Sequence, residues 1–276
     1  MATPSIAIIP SAYKEGVLAA VLPNNVDADL DVTRASSATR VNKDGLIETV
    51  GNNIPRLDYS DGDCPSYLLE PQSTNIVTYS EDFSSSNWDK ASSGVSVENT
   101  SIISPNNTSY AQNITVNLSS GNMFIRENLY SGTTLKCSNS VFVKKNNTRY
   151  VAIRNDSAGG YHDVFDFDTE TFTNNSGSIL FFTKFPNNWY RISSNKINTA
   201  SNNFISFFPT TNTSGNENTT VPVNVSVYLW GAQVEIGSYP TSYIPTYSMC
   251  FQQIKFLWYL YLQNYRYSKY LYLFHY

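Results

Sequence analysis

The chain has 276 residues, a formal net charge of −4, and only 14% charged against 41% hydrophobic residues. That balance lacks the basic surface of a nucleic-acid binder and gives enough length for one large β-domain or two small ones. The missing charge is replaced by Asn, Ser and Thr, with 20 Tyr and 15 Phe, residues that compete with helical backbone bonds or pack across pleated strands, so composition predicts an all-β chain.

Along the first 75 residues, Pro55, Pro65 and Pro71 stand against regular helix because each removes a donor and constrains its predecessor. Leu30-Asp-Val-Thr-Arg34 and Leu46-Ile-Glu-Thr-Val50 bracket Asn42-Lys-Asp-Gly45, whose Asp-Gly step suits a hairpin turn. This zone, 1–75, reads as an extended anchoring arm with a β-hairpin. The stretch from Met1 to Pro10 has no basic region and too short an apolar run for a secretion signal.

Residues 76–247 form a series of short alternating segments separated by Asn, Ser and Gly. Arg149-Tyr-Val-Ala-Ile-Arg-Asn155 sets Val151 and Ile153 against Tyr150, Ala152 and Arg154, and Val225, Val227 and Leu229 oppose Ser226, Tyr228 and Trp230. This period of two marks strands with one face toward a core. Similar runs lie near 122–130, 137–145, 161–168, 178–185, 189–198 and 203–209, and their close spacing predicts a β-sandwich or barrel.

Residues 248–276 differ in kind: Lys255, Arg266 and Lys269 are unopposed by any acid. A membrane span needs about 20 predominantly apolar residues, and Gln263, Asn264, Arg266 and Lys269 interrupt this one, so no span is expected. The segment reads as a strand pair covered by a partner subunit, or as a disordered tail that is translated but not properly folded.

Candidates for chemistry are few. Cys64, Cys137 and Cys250 are odd in number and far apart, which argues against a disulfide framework and a zinc site. His162 and His275 are the only neutral-pH bases, and His162 beside Asp163 lacks a nucleophile on a Gly-x-Ser-x-Gly turn, so no catalytic residue is assigned. Asp166 and Asp168, two apart on a strand, would share a face with Cα atoms roughly 6.5 Å apart. They suit structural calcium, a glycosidase pair, or a plain hairpin turn within Phe165-Asp-Phe-Asp-Thr-Glu-Thr-Phe172. A sugar site needs flat apolar faces beside neutral polar groups; the candidate cluster is Tyr150, Arg154 and Asn155 with Tyr161 and His162. Trp88, Trp189 and Trp230 read as core anchors with their indole N–H groups bonded to nearby backbone.

Thr33-Arg-Ala-Ser-Ser-Ala-Thr-Arg40-Val-Asn-Lys-Asp-Gly-Leu-Ile-Glu48, Pro55-Arg-Leu-Asp-Tyr59 and Cys64-Pro-Ser-Tyr-Leu-Leu-Glu-Pro-Gln-Ser-Thr-Asn75 follow one another in order, then Tyr79-Ser-Glu-Asp-Phe83 and Trp88. Tyr228-Leu-Trp-Gly-Ala-Gln-Val-Glu235 and Gly237-Ser-Tyr-Pro-Thr-Ser-Tyr-Ile-Pro-Thr246 close the succession. Together these blocks resemble tail, fibre and appendage proteins of bacteriophages, whose middle region is similar to jelly-roll carbohydrate-binding modules. The resemblance implies a non-enzymatic virion component with a jelly-roll β-sandwich, displayed toward host-surface polysaccharide, contacting other virion proteins and forming a homo-oligomer such as a trimer. It implies no cofactor other than structural calcium. Two further readings stand beside it: a purely architectural head or tail decoration protein, and a capsule depolymerase using Asp166 and Asp168. The chain departs from the family pattern after Thr246.

Overall fold

The structure, a computed structural model, describes residues 10–14, 17–20, 30–91, 94–117, 124–131, 135–154, 162–198, 202–215 and 224–247. The aromatic tail at 248–276 lies outside the described residues. The chain divides into two compact units that part between Gln72 and Ser73.

In the first unit, β1 (Pro10–Lys14), β2 (Val17–Ala20) and β3 (Leu30–Asp31) form a three-stranded antiparallel sheet. A hairpin follows, β4 (Ala38–Val41) against β5 (Ile47–Val50), with Val41 opposite Ile47. The expected turn is present, because Asn42 Oδ1 accepts from the Asp44 and Leu46 amides at 2.9 and 3.0 Å. Its first strand is not Leu30–Arg34, however: so tight a turn lets only the residues immediately before Asn42 pair with β5. Two short strands, β6 (Leu57–Asp58) and β7 (Ser66–Tyr67), pair beyond it.

Arginine organises this unit. Arg34 is buried, and its guanidinium donates to the carbonyls of Ser36, Val50, Gly51 and Ile54. Arg56, also buried, donates to Thr39 O and pairs with Glu70 at 2.7 Å. Burial, with Arg56 nearby, brings the Arg34 guanidinium down to about 10. A segment poor in large apolar residues thus closes its loops by satisfying carbonyls.

The second unit is an all-β jelly-roll sandwich. Its strands are β8 (Asp89–Lys90), β9 (Val95–Ile103), β10 (Tyr110–Val116), β11 (Ile125–Ser131), β12 (Leu135–Lys145), β13 (Tyr150–Arg154), β14 (Asp163–Asp166), β15 (Thr171–Thr173), β16 (Ile179–Phe185), β17 (Trp189–Asn198), β18 (Asn202–Thr210) and β19 (Val225–Ile236). They form two six-stranded antiparallel sheets: a first in the order β16-β17-β12-β19-β10-β9 and a second in the order β15-β14-β13-β18-β11-β8. The chain crosses repeatedly between them. Inward residues of both sheets, among them Val141, Val143, Ile192, Val227 and Leu229 on the first and Ile125, Val151, Ile153, Ile205 and Phe207 on the second, make one continuous core.

The three tryptophans of the sandwich are core anchors as expected, although the Trp230 indole bonds a side-chain hydroxyl and not backbone. Trp88, Trp189 and Trp230 are almost fully buried, with indole N–H groups bonded to Tyr79 O, Ile103 O and Ser109 Oγ. The start and end of the sandwich are stitched together by Asn75, whose side-chain amide donates to Ala232 O and Ile244 O while its oxygen accepts from the Val77 and Val234 amides. Residues 238–246 cross the outer face of the first sheet, where Tyr243 packs on Trp230 and Phe142 and Thr241 bonds Glu235.

Candidate functional site

The alternation read at 149–155 is borne out as β13, with Val151 and Ile153 inside and Tyr150, Ala152 and Arg154 on the outer face of the second sheet. The middle of that outer face is covered. Arg154 is 5% exposed, its guanidinium 5.1 Å from the Phe204 ring centre. His162 is 0% exposed: Nε2 lies 2.7 Å from Ser206 Oγ, Nδ1 3.2 Å from Gly215 O, and the ring stands edge-on to Phe208. Burial, reinforced by the Arg154 charge, holds the imidazole well below the usual histidine range. Phe124, Phe208, Ala152 and Val164 complete a secondary apolar layer.

Of the expected sugar cluster, Arg154 and His162 pack inside this layer, Tyr150 is half-buried beneath the Arg149 guanidinium, and Asn155 and Tyr161 lie outside the described residues. Alternation predicts which side of a strand a residue takes, but not whether that side is covered.

Asp166 and Asp168, the candidate calcium pair, are each held by a cationic side chain. Asp166 ends β14 and takes both Nε and Nη2 of Arg149 at 2.8 and 2.6 Å, which holds its carboxyl well below the usual carboxylate range. Asp168 lies in the turn, where its carboxylate pairs with Lys145 at 2.5 Å and its amide donates to Asp166 Oδ1. Among the described residues no three His, Cys, Asp or Glu side chains converge on a metal position. The hairpin reading of this segment accounts for both carboxylates, and each already has its cation.

An open face exists on the other sheet. Register places Glu98 on β9, Asn113 on β10, Tyr228 on β19 and Lys144 on β12 in one row across the first sheet. Ser96, Thr115 and Ser226 form the adjoining row. Val227 and Leu229 point into the core, so Tyr228 points out. Strand spacing makes the row about 14 Å long. Tyr228, Asn113, Lys144, Thr115 and Ser96 are half-buried and Glu98 is exposed.

Hydrogen bonds fix the polar part of this floor. Asn146 Nδ2 donates to Asn113 Oδ1 at 3.1 Å and to Ser226 Oγ at 2.8 Å, and Asn113 Nδ2 donates to Thr115 Oγ1 at 3.0 Å. Farther along β19 the face is covered by residues 238–246 and by the loop carrying Ser109, so Trp230 is buried while Tyr228, two residues earlier, is not. The signal for Tyr228 was present in sequence, in its alternation against Val225, Val227 and Leu229.

No family model matches the chain, and no curated protein matches it in sequence. Among solved structures, the chain is similar to the CBM22-1–GH10 modules of endo-1,4-beta-D-xylanase 10B from Clostridium thermocellum, solved with xylohexaose, at a TM-score of 0.36 and 13% identity. The match covers 64% of this chain and 30% of that one.

Proposed function

We propose that the chain is a non-catalytic glycan-binding component of a phage particle appendage, and that the sugar lies on the floor around Tyr228. The observation that carries the first half is a lone aromatic ring set among fixed amide and hydroxyl groups on a partly open sheet face. An aromatic ring accepts the apolar C–H face of a sugar, while neighbouring amides and hydroxyls exchange water for sugar hydroxyls at little electrostatic cost. The ordered sequence blocks at 33–48, 55–59, 64–75 and 228–246 support the appendage half, with the first unit docking on other virion proteins and the sandwich facing host-surface polysaccharide. The non-catalytic reading is supported by the state of the best acid–base candidates, since His162 is buried and Asp166 and Asp168 are held in ion pairs.

Array binding of the whole chain to bacterial polysaccharides, with Tyr228→Ala beside it, tests this. The expected result is binding by the wild type that Tyr228→Ala abolishes without a change in melting temperature. Silence of the wild type across the array at high protein concentration would overturn it.

A second, architectural reading has its own observation. β16 is an edge strand of the first sheet, paired only with β17, and exposes Ile179 at 56% and Phe181 at 52%. Edges of this kind invite pairing with another chain. Particles that lack the protein discriminate the two: unchanged adsorption with altered assembly favours architecture.

A further inference from the structure

We infer that the floor selects a glycan bearing an anionic sugar, with its carboxylate seated on Lys144; this rests on the glycan reading above. The sandwich neutralises most of its cations in place. Arg126 pairs with Asp89 at 2.6 Å, Lys145 with Asp168 at 2.5 Å, Arg149 with Asp166 at 2.6 Å and Lys184 with Glu170 at 2.5 Å. Lys90 donates to the carbonyls of Ser84 and Ser85.

Lys144 differs. It is half-buried, directly opposite Tyr228 on the neighbouring strand, and among the described residues its ammonium has no carboxylate or carbonyl partner. The Tyr228 phenol is likewise unbonded there. Its half-buried stem runs along the floor while the ammonium stays at the solvent side, within reach of a ligand lying over the neighbouring Tyr228. The only acid of the row, Glu98, stands at the far end beyond Asn113. An anion is thus attracted at one end and repelled at the other, which orients the chain of sugars: the acidic ring at Lys144, neutral rings over Tyr228 and Asn113.

Uronate and phosphate-bearing sugars share this chemistry, and the test separates them. The whole protein is titrated calorimetrically with oligogalacturonate, its methyl ester, a mannose-6-phosphate-bearing oligosaccharide and neutral xylo-oligosaccharide. The expected result is oligogalacturonate bound about tenfold more tightly than its ester, a typical difference for one charge pair at a binding surface. Lys144→Gln brings the acid down to the affinity of the ester, and Lys144→Arg keeps the preference. Tighter binding of the phosphorylated sugar than of the uronate, still lost in Lys144→Gln, keeps the anionic selection and overturns the carboxylate. Acid and ester bound equally, with Lys144→Gln indistinguishable from wild type, overturns the inference and leaves the glycan reading standing. No binding to either anionic probe overturns the inference, and the polysaccharide array then decides the glycan reading by itself.

Discussion

Replacing Glu127 by Gln should flatten a pH dependence of stability that the wild type carries. Glu127, on β11, is 5% exposed; its Oε1 accepts from Thr78 N at 3.0 Å and Thr78 Oγ1 at 2.7 Å, while Oε2 is buried without a partner. Burial pushes its carboxyl from 4.5 up to about 7, and no cation offsets it. A group raised in the folded state stabilises fully below its unfolded value, and that contribution is lost as pH rises through the folded value. The loss between pH 4.5 and pH 7 is about 3 kcal/mol. Gln keeps the acceptor for both Thr78 donors and never ionises. Urea unfolding followed by tryptophan fluorescence at pH 4.5, 6, 7 and 8.5 measures it, since Trp88, Trp189 and Trp230 all lie in the sandwich. The variant should gain about 3 kcal/mol on the wild type between the lowest and highest pH. Taking the difference between the two proteins removes every other titrating group, such as Glu81, which burial also raises. A wild-type-minus-variant difference that stays constant across this range would refute the assignment.

Gly231 sits at φ 62 in the bulge of β19, and an added Cβ would meet Phe142 at 3.0 Å and Tyr243 at 3.1 Å; Gly231→Ala should cost about 2 kcal/mol or more, seen as a melting temperature lower by about 4–8 °C. Arg34→Met leaves the carbonyls of Val50, Gly51 and Ile54 without their buried donor. It should cost the first unit about 3–5 kcal/mol, read as lost hydrogen-exchange protection at 38–54 with the sandwich fluorescence unchanged. Asn75→Ala deletes four buried hydrogen bonds that tie the two ends of the sandwich, and denaturation should show a loss of about 2–4 kcal/mol. Chelation with EDTA should leave the melting temperature unaltered, because Asp166 and Asp168 are engaged by Arg149 and Lys145; a drop reversed by calcium would overturn that account.

Sequence made the sandwich legible where strands have one greasy side. The runs near 137–145, 178–185, 189–198 and 203–209 correspond to β12, β16, β17 and β18. It did not reveal β9 and β10, Val-Ser-Val-Glu-Asn-Thr-Ser-Ile-Ile and Tyr-Ala-Gln-Asn-Ile-Thr-Val, because polar residues on an edge and its neighbour dilute the alternation. Arg34 is a buried donor to four carbonyls; nothing local in the sequence distinguishes a solvated arginine from one that closes loops. The surroundings of the outward tyrosines were hidden for a related reason. Tyr150 and Tyr228 have the same local signature, an outward tyrosine between inward aliphatics, and only contacts distant in sequence decide which outer face is covered.

That covering links composition to function. A sandwich that exposed both outer faces would leave two broad sheets open, whereas here the second sheet buries Phe204, Phe208, Arg154 and His162 on its outside, and the first buries Phe142, Trp189 and Trp230 under Tyr243 and the Ser109 loop. Closing those layers requires backbone groups to meet side-chain partners, which uncharged residues supply without the desolvation penalty of ions: Ser138 to Asn195, Asn195 to Ser238 O, Gln233 to the Ile244 amide. The abundance of Asn, Ser and Thr thus serves the hidden layers as much as solubility. Among the described residues, the row through Tyr228 is one part of the outer face of the first sheet that these layers leave uncovered, beside the exposed Ile179 and Phe181 of β16.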